Sequence, residues 1–270
     1  MTDFARSDAL VHLPAAATRL SGVLARPKRI ALACIAGLTA LGWGSLALMS
    51  TGGASGLWQV LCQPGGVGAF SDLALAAPMW AAMTLAMMLP TAGPMVLTYA
   101  EIADTAARKG EPVVSPLVLT AGYVTVWLGF ALAASALQWG LVRAGLITGG
   151  SISRAAGGAI FIAAGVYQFS AFKQACLTQC QRPFPFFFSN WTEQRRGVFR
   201  LGLRQGLYCL GCCWAAMLVM FAVGTMNVVW MAALGVLMTI EKLSTTPHFS
   251  RAVGAAFVAI GLAMIGLSLV

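Results

Sequence analysis

The stretch Gly206–Ile240, GLYCLGCCWAAMLVMFAVGTMNVVWMAALGVLMTI, contains no charged side chain over 35 residues. As one straight helix it would be about 52 Å long at 1.5 Å per residue, whereas the hydrocarbon core of a bilayer is about 30 Å thick. The stretch therefore predicts two apolar helices, joined by a tight turn at the Gly-Thr-Met-Asn sequence of residues 224–227.

The composition of the whole chain is typical of an integral membrane protein. Hydrophobic residues make up 59% of the 270 residues, charged residues only 9%, and the mean hydropathy is +0.81. A soluble domain has about 25% charged residues, so this chain lacks the polar side chains needed to face water on all sides. We expect an all-α, polytopic transmembrane helix bundle of about seven spans, near residues 30–49, 77–99, 117–142, 155–172, 207–224, 226–242 and 252–270.

The basic residues lie mostly on one side of these predicted spans. Fifteen Lys and Arg residues, Lys173 and Lys242 among them, fall in the N-terminal tail and the loops of that side, against Arg143 and Arg154 opposite. Basic loops favour the cytoplasm, so we expect a cytoplasmic N-terminus in a multi-pass protein of the cell inner (plasma) membrane. The net charge of +9 does not predict a nucleic-acid partner, since no basic patch is interleaved with aromatic residues on a soluble module.

The domain organisation follows from the same pattern. Residues 1–29 are expected to form a cytoplasmic tail, and residues 30–270 a single transmembrane helical domain. The connection at 173–205 combines aromatic residues with arginines. That combination suits the anionic inner surface of a membrane, so we expect a cytoplasmic interfacial segment there.

A cluster of cysteines stands near the start of the uncharged stretch. Cys209, Cys212 and Cys213 share one face if the segment is helical, and Cys176 and Cys180 precede them. Thiols bind Cu(I), Zn or an iron–sulfur centre and also exchange disulfides. The predicted orientation puts all five on the cytoplasmic side, where disulfides are rare. Ionised thiols repel one another and a bound cation relieves that repulsion, so a metal site is the favoured interpretation.

A methionine-rich segment adds softer donors. Met83 and Met87 recur four residues apart and so lie on one helix face, and Met217 continues the face of the cysteine cluster. Thioethers are weak ligands that favour Cu(I), although methionine also packs well in any apolar core. We expect these three residues to offer weaker metal sites deeper in the bilayer, with packing as the alternative.

Two charged residues, Glu241 and Lys242, close the sixth predicted helix. Long charged side chains at a helix end can extend to the membrane surface. Ionisable residues inside a membrane are commonly functional. The sequence leaves both interpretations open.

The motifs together resemble a bacterial family of uncharacterised proteins described as predicted metal-binding integral membrane proteins. The resemblance covers about residues 75–245 and rests on three motifs: Met79-Trp80-x2-Met83-x3-Met87-Met88-Leu89-Pro90 with Pro94, Cys176-Leu-x2-Cys180-x2-Pro183, and Gly206-x-Tyr208-Cys209-x-Gly211-Cys212-Cys213-Trp214-x2-Met217. It implies metal binding and a membrane location, and it supplies no established reaction or transported substrate.

The leading prediction is an integral membrane protein that binds a soft metal ion, with Cu(I) favoured and Zn next, for transport or delivery. The expected partners are the lipid bilayer, the metal ion, and a partner membrane protein or metallochaperone. One alternative is a membrane thiol-redox protein that uses the spacing Cys209-x2-Cys212. Another is a scaffold subunit whose cysteines only pack. The sequence has no serine-hydrolase, phosphate-loop or nucleotide-binding motif, so no catalytic residue or organic cofactor is assigned.

Overall fold

The computed structural model describes residues 32–33, 35–37, 39–44, 70–148, 151–224, 227–244 and 246–268. Within this part of the chain the protein is helical except for turns and a two-residue antiparallel ribbon, in which Ile147 pairs with Ile152. From Phe70 onward the elements are α1 (Phe70–Arg108), α2 (Pro116–Arg143), β1 (Ile147–Thr148), β2 (Ser151–Ile152), α3 (Arg154–Gln168), α4 (Ala171–Gln181), α5 (Pro183–Ser189), α6 (Arg195–Leu218), α7 (Met220–Val223), α8 (Val228–Leu243) and α9 (Pro247–Gly266).

The all-helical fold is confirmed, but the count of seven spans is not supported. Among the described residues, four helices are long and apolar enough to cross a membrane, and the bent pair of α3 and α4, which meet at 66°, makes five if it counts as one crossing. Helix α8 has 16 residues, short of the roughly 20 that a crossing requires. The predicted first span, 30–49, is described only in part, and the predicted tail, 1–29, lies outside the described residues.

The break predicted near residue 224 is present, whereas the preceding helix begins earlier than expected. Gly224 has φ of +96°, a conformation that favours glycine, and it ends α7. The side chain of Asn227 accepts a hydrogen bond from the Trp230 backbone N–H at 3.2 Å, so it caps α8. Helix α6 begins at Arg195 instead of 207. The arginines of its first three turns lower the hydropathy of this segment, which hid it from the prediction, but they do not break the helix.

The backbones of α2 and α6 are in close contact. A Cβ added to Gly122 of α2 would collide with the backbone of Phe199, and one added to Gly202 of α6 would collide with the carbonyl oxygen of Leu119. Small residues allow membrane helices to approach this closely. This packing fixes the position of the face of α6 that carries the cysteines.

We expect Gly122→Ala to destabilise the protein by about 1–3 kcal/mol, because the added methyl group overpacks a tight helix contact. Gly129→Ala on the same helix is the matched control, since a Cβ there would meet nothing within 4 Å. The control should leave stability unchanged or slightly raised, because alanine favours helix over glycine. Thermal unfolding of both variants in one detergent checks this, and equal midpoints would show that the contact contributes nothing.

Candidate metal centre

Helix α6 brings three thiols together in the interior of the protein. The ligand atoms of Cys209, Cys212 and Cys213 all lie within 4.8 Å of one another, and each residue is only 1% exposed. The sulfur atoms of Cys212 and Cys213 are 3.3 Å apart, and the Cys212 thiol donates a hydrogen bond to the carbonyl oxygen of Cys209 at 3.1 Å. The helical spacing predicted this shared face correctly.

Cys209 is part of a closed ring of hydrogen bonds. The ammonium group of Lys242 donates to the sulfur of Cys209 at 2.9 Å and to the hydroxyl of Thr91 at 2.7 Å. The hydroxyl of Tyr123 lies 3.0 Å from the same sulfur and donates to the carbonyl oxygen of Met88 at 3.1 Å. Thr91 donates to that carbonyl at 2.9 Å. Residues from α1, α2, α6 and α8 thus fix one sulfur atom from several sides.

The contact between Lys242 and Cys209 places a positive charge beside a candidate metal-ligand atom. Lys242 is 9% exposed, and a buried ammonium group is costly unless an opposite charge or hydrogen-bond acceptors compensate it. The sulfur of Cys209 and the oxygen of Thr91 supply that compensation. The ammonium group in turn stabilises negative charge on Cys209, and the thiolate is the form that binds metals.

A second buried charge pair adjoins the cluster. The ammonium group of Lys173 lies 2.8 Å from Glu241 Oε2, with the two side chains 1% and 3% exposed. Lys173 also donates to the carbonyl oxygen of Cys212 at 3.0 Å, so it joins α4 to both α6 and α8. Glu241 Oε1 is buried without a hydrogen-bond partner among the described residues. The interpretation that Glu241 and Lys242 extend to the membrane surface is therefore wrong.

The burial of two lysines also corrects the distribution of charge used for the orientation. Lys173 and Lys242 were counted with the basic loops, but both lie inside the helix bundle. They contribute no charge to a loop surface. The remaining basic residues on that side still outnumber Arg143 and Arg154, so the cytoplasmic N-terminus stays a prediction.

The other two predicted thiol ligands occupy different positions. The thiol of Cys180 lies near those of Cys209 and Cys212, although it is outside the group of three within 4.8 Å. The sulfur of Cys176 packs against Gly211, where an added Cβ would be 2.7 Å from it. Gly211 lies on another face of α6 than the cluster, so the structure associates Cys180 with the three thiols and separates Cys176 from them.

The three predicted methionine ligands are core residues in the structure. Met83, Met87 and Met217 are at most 1% exposed, and Met87 faces Gly235 of α8. The methionine that hydrogen bonds connect to the thiol site is instead Met88, through its backbone carbonyl. Packing thus accounts for the burial of the three, and their role as ligands stays a prediction.

Comparison with family models finds a family described by its metal. A model described as "PpoB2: Copper chaperone" matches residues 77–264, which is more than half of the chain. The chain belongs to the PpoB2 copper chaperone family. The matched range contains the three thiols, the hydrogen-bond ring around Cys209 and the second charge pair. No curated protein and no solved structure matched the chain.

The thiol cluster fits the copper that the PpoB2 family description names. Two metal–sulfur bonds of about 2.3 Å, the length known for zinc, span at most about 4.6 Å, so sulfur atoms within 4.8 Å need little movement to share one ion. Three thiols form a soft donor set of the kind that selects Cu(I). The family description bears out the resemblance to metal-binding proteins, and it says nothing of a membrane.

Three polar residues beside the thiols, Lys173, Thr91 and Tyr123, were given no role from the sequence, and the role of Glu241 and Lys242 was left open. The available signal was the position of the charges: Glu241 and Lys242 follow 35 uncharged residues directly, and Lys173 follows a predicted span. Ionisable groups beside apolar helices are candidates for functional roles. Nothing in the sequence distinguished Thr91 and Tyr123 from other polar residues of apolar helices.

We expect Lys173→Met to destabilise the protein by about 3–5 kcal/mol, because it leaves the buried carboxylate of Glu241 without its partner. The double variant Lys173→Met, Glu241→Leu should recover much of that loss, since an apolar pair of similar volume carries no uncompensated charge. Unfolding in detergent measures both. As a control, Arg108→Gln breaks an exposed pair with Asp104 and should cost less than about 1 kcal/mol. A double variant as unstable as the single one would contradict the assignment.

Proposed function

We propose that this protein binds one Cu(I) ion at the three thiols of α6, inside a membrane-embedded helix bundle, and delivers it to a partner protein. The observation that carries the proposal is the group of three sulfur atoms within 4.8 Å of one another, all buried beside the ammonium group of Lys242. Membership in a family of copper chaperones favours delivery over storage. Cu(I) is the favoured ion, and Zn is the next candidate.

Charge balance supports copper binding at this position. A Cu(I) ion held by two thiolates and one neutral thiol carries a net charge of about −1, and burial of an uncompensated charge is costly. Lys242 supplies the opposite charge from a distance at which an ion pair remains favourable. Thr91 and Tyr123 hold the side chains of Lys242 and Cys209 in position, as the outer residues of metal sites commonly do. In this account the site is arranged for an anionic copper–thiolate centre.

The proposed membrane arrangement keeps the seven spans predicted from the sequence. The segment around 30–49, α1, α2, the bent pair of α3 and α4, α6 and α9 would each cross the bacterial inner membrane once. Helix α8 would be the seventh crossing, although its 16 residues make it shorter than a usual span. The N-terminus, the tail 1–29 and the arginine-rich start of α6 would then face the cytoplasm, with residues 173–205 at the inner surface. Support comes from the basic residues that flank this end of the bundle. A partner membrane protein or a metallochaperone would meet the chain there.

Weaker donors extend the proposed site. Cys180 lies near the cluster and would act as a further copper ligand or pass copper on to the cluster. Cys176, Met83, Met87 and Met217 would bind copper only if the packing rearranges. Thioethers bind Cu(I) more weakly than thiolates do. A descending series of donors would permit the ion to be released, which delivery requires as much as capture does.

Metal loading of the purified protein tests this function. Protein in detergent, reduced under anaerobic conditions, is given Cu(I) or Zn(II), desalted, and measured by elemental analysis. We expect about one copper ion per chain and less zinc, since the donor set is soft. Thiol trapping with and without reductant addresses the redox alternative, because a redox couple changes its free-thiol count with reductant, whereas a metal site changes with a chelator. Protein that retains no copper would contradict the proposal.

A further inference from the structure

A polar cavity of about 460 Å³ lies among α4, α5 and α6. This volume is in the range of pockets that hold small molecules. The hydroxyl groups of Thr178, Ser189 and Tyr208 line the cavity together with two arginines, Arg182 and Arg204. Within the described part of the chain these arginines are its only charged lining residues, and no carboxylate lines it. The charge and the hydrogen-bond donors of the cavity therefore favour an anion.

The two guanidinium groups reach the cavity from different elements. Arg182 lies between α4 and α5, and Arg204 lies on α6. Arg204 donates a hydrogen bond to the side-chain oxygen of Asn190 at 3.2 Å, which restrains this guanidinium group at the cavity wall. Guanidinium groups bind phosphate oxygens with paired, charge-assisted hydrogen bonds, and hydroxyl groups donate to the same oxygens. A phosphate group thus matches the donors that line the cavity.

An apolar stripe continues from the cavity along α6. Leu207, Gly211 and Trp214 follow Arg204 on one face of the helix. Leu207 and Trp214 are exposed, and the exposed ring of Phe172 on α4 would lie 3.5 Å from a Cβ added to Gly211. From Arg204 to Trp214 this face is about 15 Å long, about half of the roughly 30 Å hydrocarbon core of a bilayer. The stripe therefore matches the acyl chains of one leaflet in length and in character.

The cavity lies where the charged part of α6 ends. Four arginines occupy residues 195–204, whereas the stretch Gly206–Ile240 carries no charge. The segment Arg195–Val223 is long and apolar enough to cross a membrane. In a helix that crosses a membrane, flanking arginines lie at the level of the lipid headgroups. A crossing by α6 therefore places Arg204 among the headgroups and the apolar stripe among the acyl chains.

We propose that this surface binds an anionic phospholipid, whose phosphate group lies between Arg182 and Arg204 and whose acyl chain lies along Leu207, Phe172 and Trp214. The inference goes beyond copper binding and rests on the membrane location in the proposed function. A zwitterionic lipid fits less well, because no carboxylate among the described lining residues is present to pair with its cationic group. The bound lipid contacts α4, α5 and α6 and joins them at one end of the bundle.

Lipid binding by the full-length protein in a nonionic detergent tests the inference. Phosphatidylglycerol or phosphatidylcholine with identical acyl chains is titrated, and bound lipid is measured by native mass spectrometry. We expect the wild type to prefer phosphatidylglycerol, and the double variant Arg182→Gln, Arg204→Gln to bind it at least about tenfold more weakly. The control Arg195→Gln, Arg196→Gln removes two exposed charges that do not line the cavity, and it should match the wild type.

Two further measurements distinguish a lipid from a soluble phosphate ester. Leu207→Asn changes an exposed residue of the stripe and should weaken the binding of phosphatidylglycerol, because the acyl chain loses an apolar contact. Glycerol 3-phosphate has the phosphate group without acyl chains, and at equal concentration it should leave the lipid bound. Displacement of the lipid under that condition would make the cavity a site for soluble phosphate esters and would overturn the inference.

The outcomes also separate this inference from the proposed function. Equal weakening of phosphatidylglycerol binding in both double variants would indicate attraction by the general basic charge, and it would overturn the inference. Wild-type protein that loads copper but binds both lipids equally would overturn the inference alone. If the wild type holds no copper yet prefers phosphatidylglycerol, and the double variant Arg182→Gln, Arg204→Gln loses that preference, the proposed copper binding fails and the lipid site stands.

Discussion

Replacement of Cys209, Cys212 and Cys213 together with serine is expected to lower bound copper from about one ion per chain to background. The reason is that the three sulfur atoms within 4.8 Å of one another are the proposed donors, and a serine hydroxyl is a hard, weak ligand for Cu(I). Serine is close in size to cysteine, so the interior of the protein should change little. Elemental analysis after anaerobic loading and desalting measures the effect, with helical content from circular dichroism as the check on folding.

The matched control for this variant is Cys176→Ser. Its sulfur packs against Gly211 on another face of α6, so its loss should leave the copper content at the wild-type value. Comparison of the two variants shows whether copper binding depends on the position of the thiols or only on their number. Equal copper content in the triple variant and in the control would contradict the assignment of the site.

Lys242→Met is expected to lower the affinity for Cu(I) by about 10- to 100-fold, the range seen when outer partners of metal ligands are removed. The ammonium group lies 2.9 Å from the Cys209 sulfur, and in its absence the buried copper–thiolate centre has no opposite charge beside it. Methionine fills a similar volume, which keeps the packing of α8 against α1. Competition with a Cu(I) chelator of known affinity measures the change.

Two further variants define what Lys242 supplies. Lys242→Arg keeps the positive charge and should retain more of the affinity than Lys242→Met does. Lys109→Met removes one positive charge from an exposed position after α1 and should have no effect. An affinity for Lys242→Met that equals or exceeds that of the wild type would show that Lys242 does not compensate the charge of the site.

The sequence alone was sufficient to predict the helical class and the shared face of the three thiols. Both depend on local properties: hydropathy determines which segments are apolar, and the helical period determines which residues lie together on one helix. The break at Gly224 followed in the same way, from the length of the uncharged stretch and from its turn residues. The start of α6 was missed, because the arginines of its first turns resemble a loop in hydropathy although they favour helix.

The surroundings of the thiols could not be predicted, because they depend on which faces of separate helices meet. Lys242 stands at the end of an apolar stretch, and whether it extends to the membrane surface or turns inward is decided by Thr91 of α1 and Cys209 of α6. Cys176 and Cys180 have the same spacing as a ligand pair, yet the packing of α4 on α6 associates only Cys180 with the cluster. Methionine burial was equally uninformative, since core packing and ligation need the same apolar position.

X-ray absorption at the copper edge of the Cu(I)-loaded protein shows whether the thiols of α6 hold copper, because it reports the atoms bonded to the ion. We expect a first shell of two or three sulfur atoms with no nitrogen or oxygen, and its loss in the variant that lacks Cys209, Cys212 and Cys213. A first shell of nitrogen or oxygen in the wild type, or a sulfur shell that persists in this triple variant, would contradict the claim that the buried thiols of α6 hold copper.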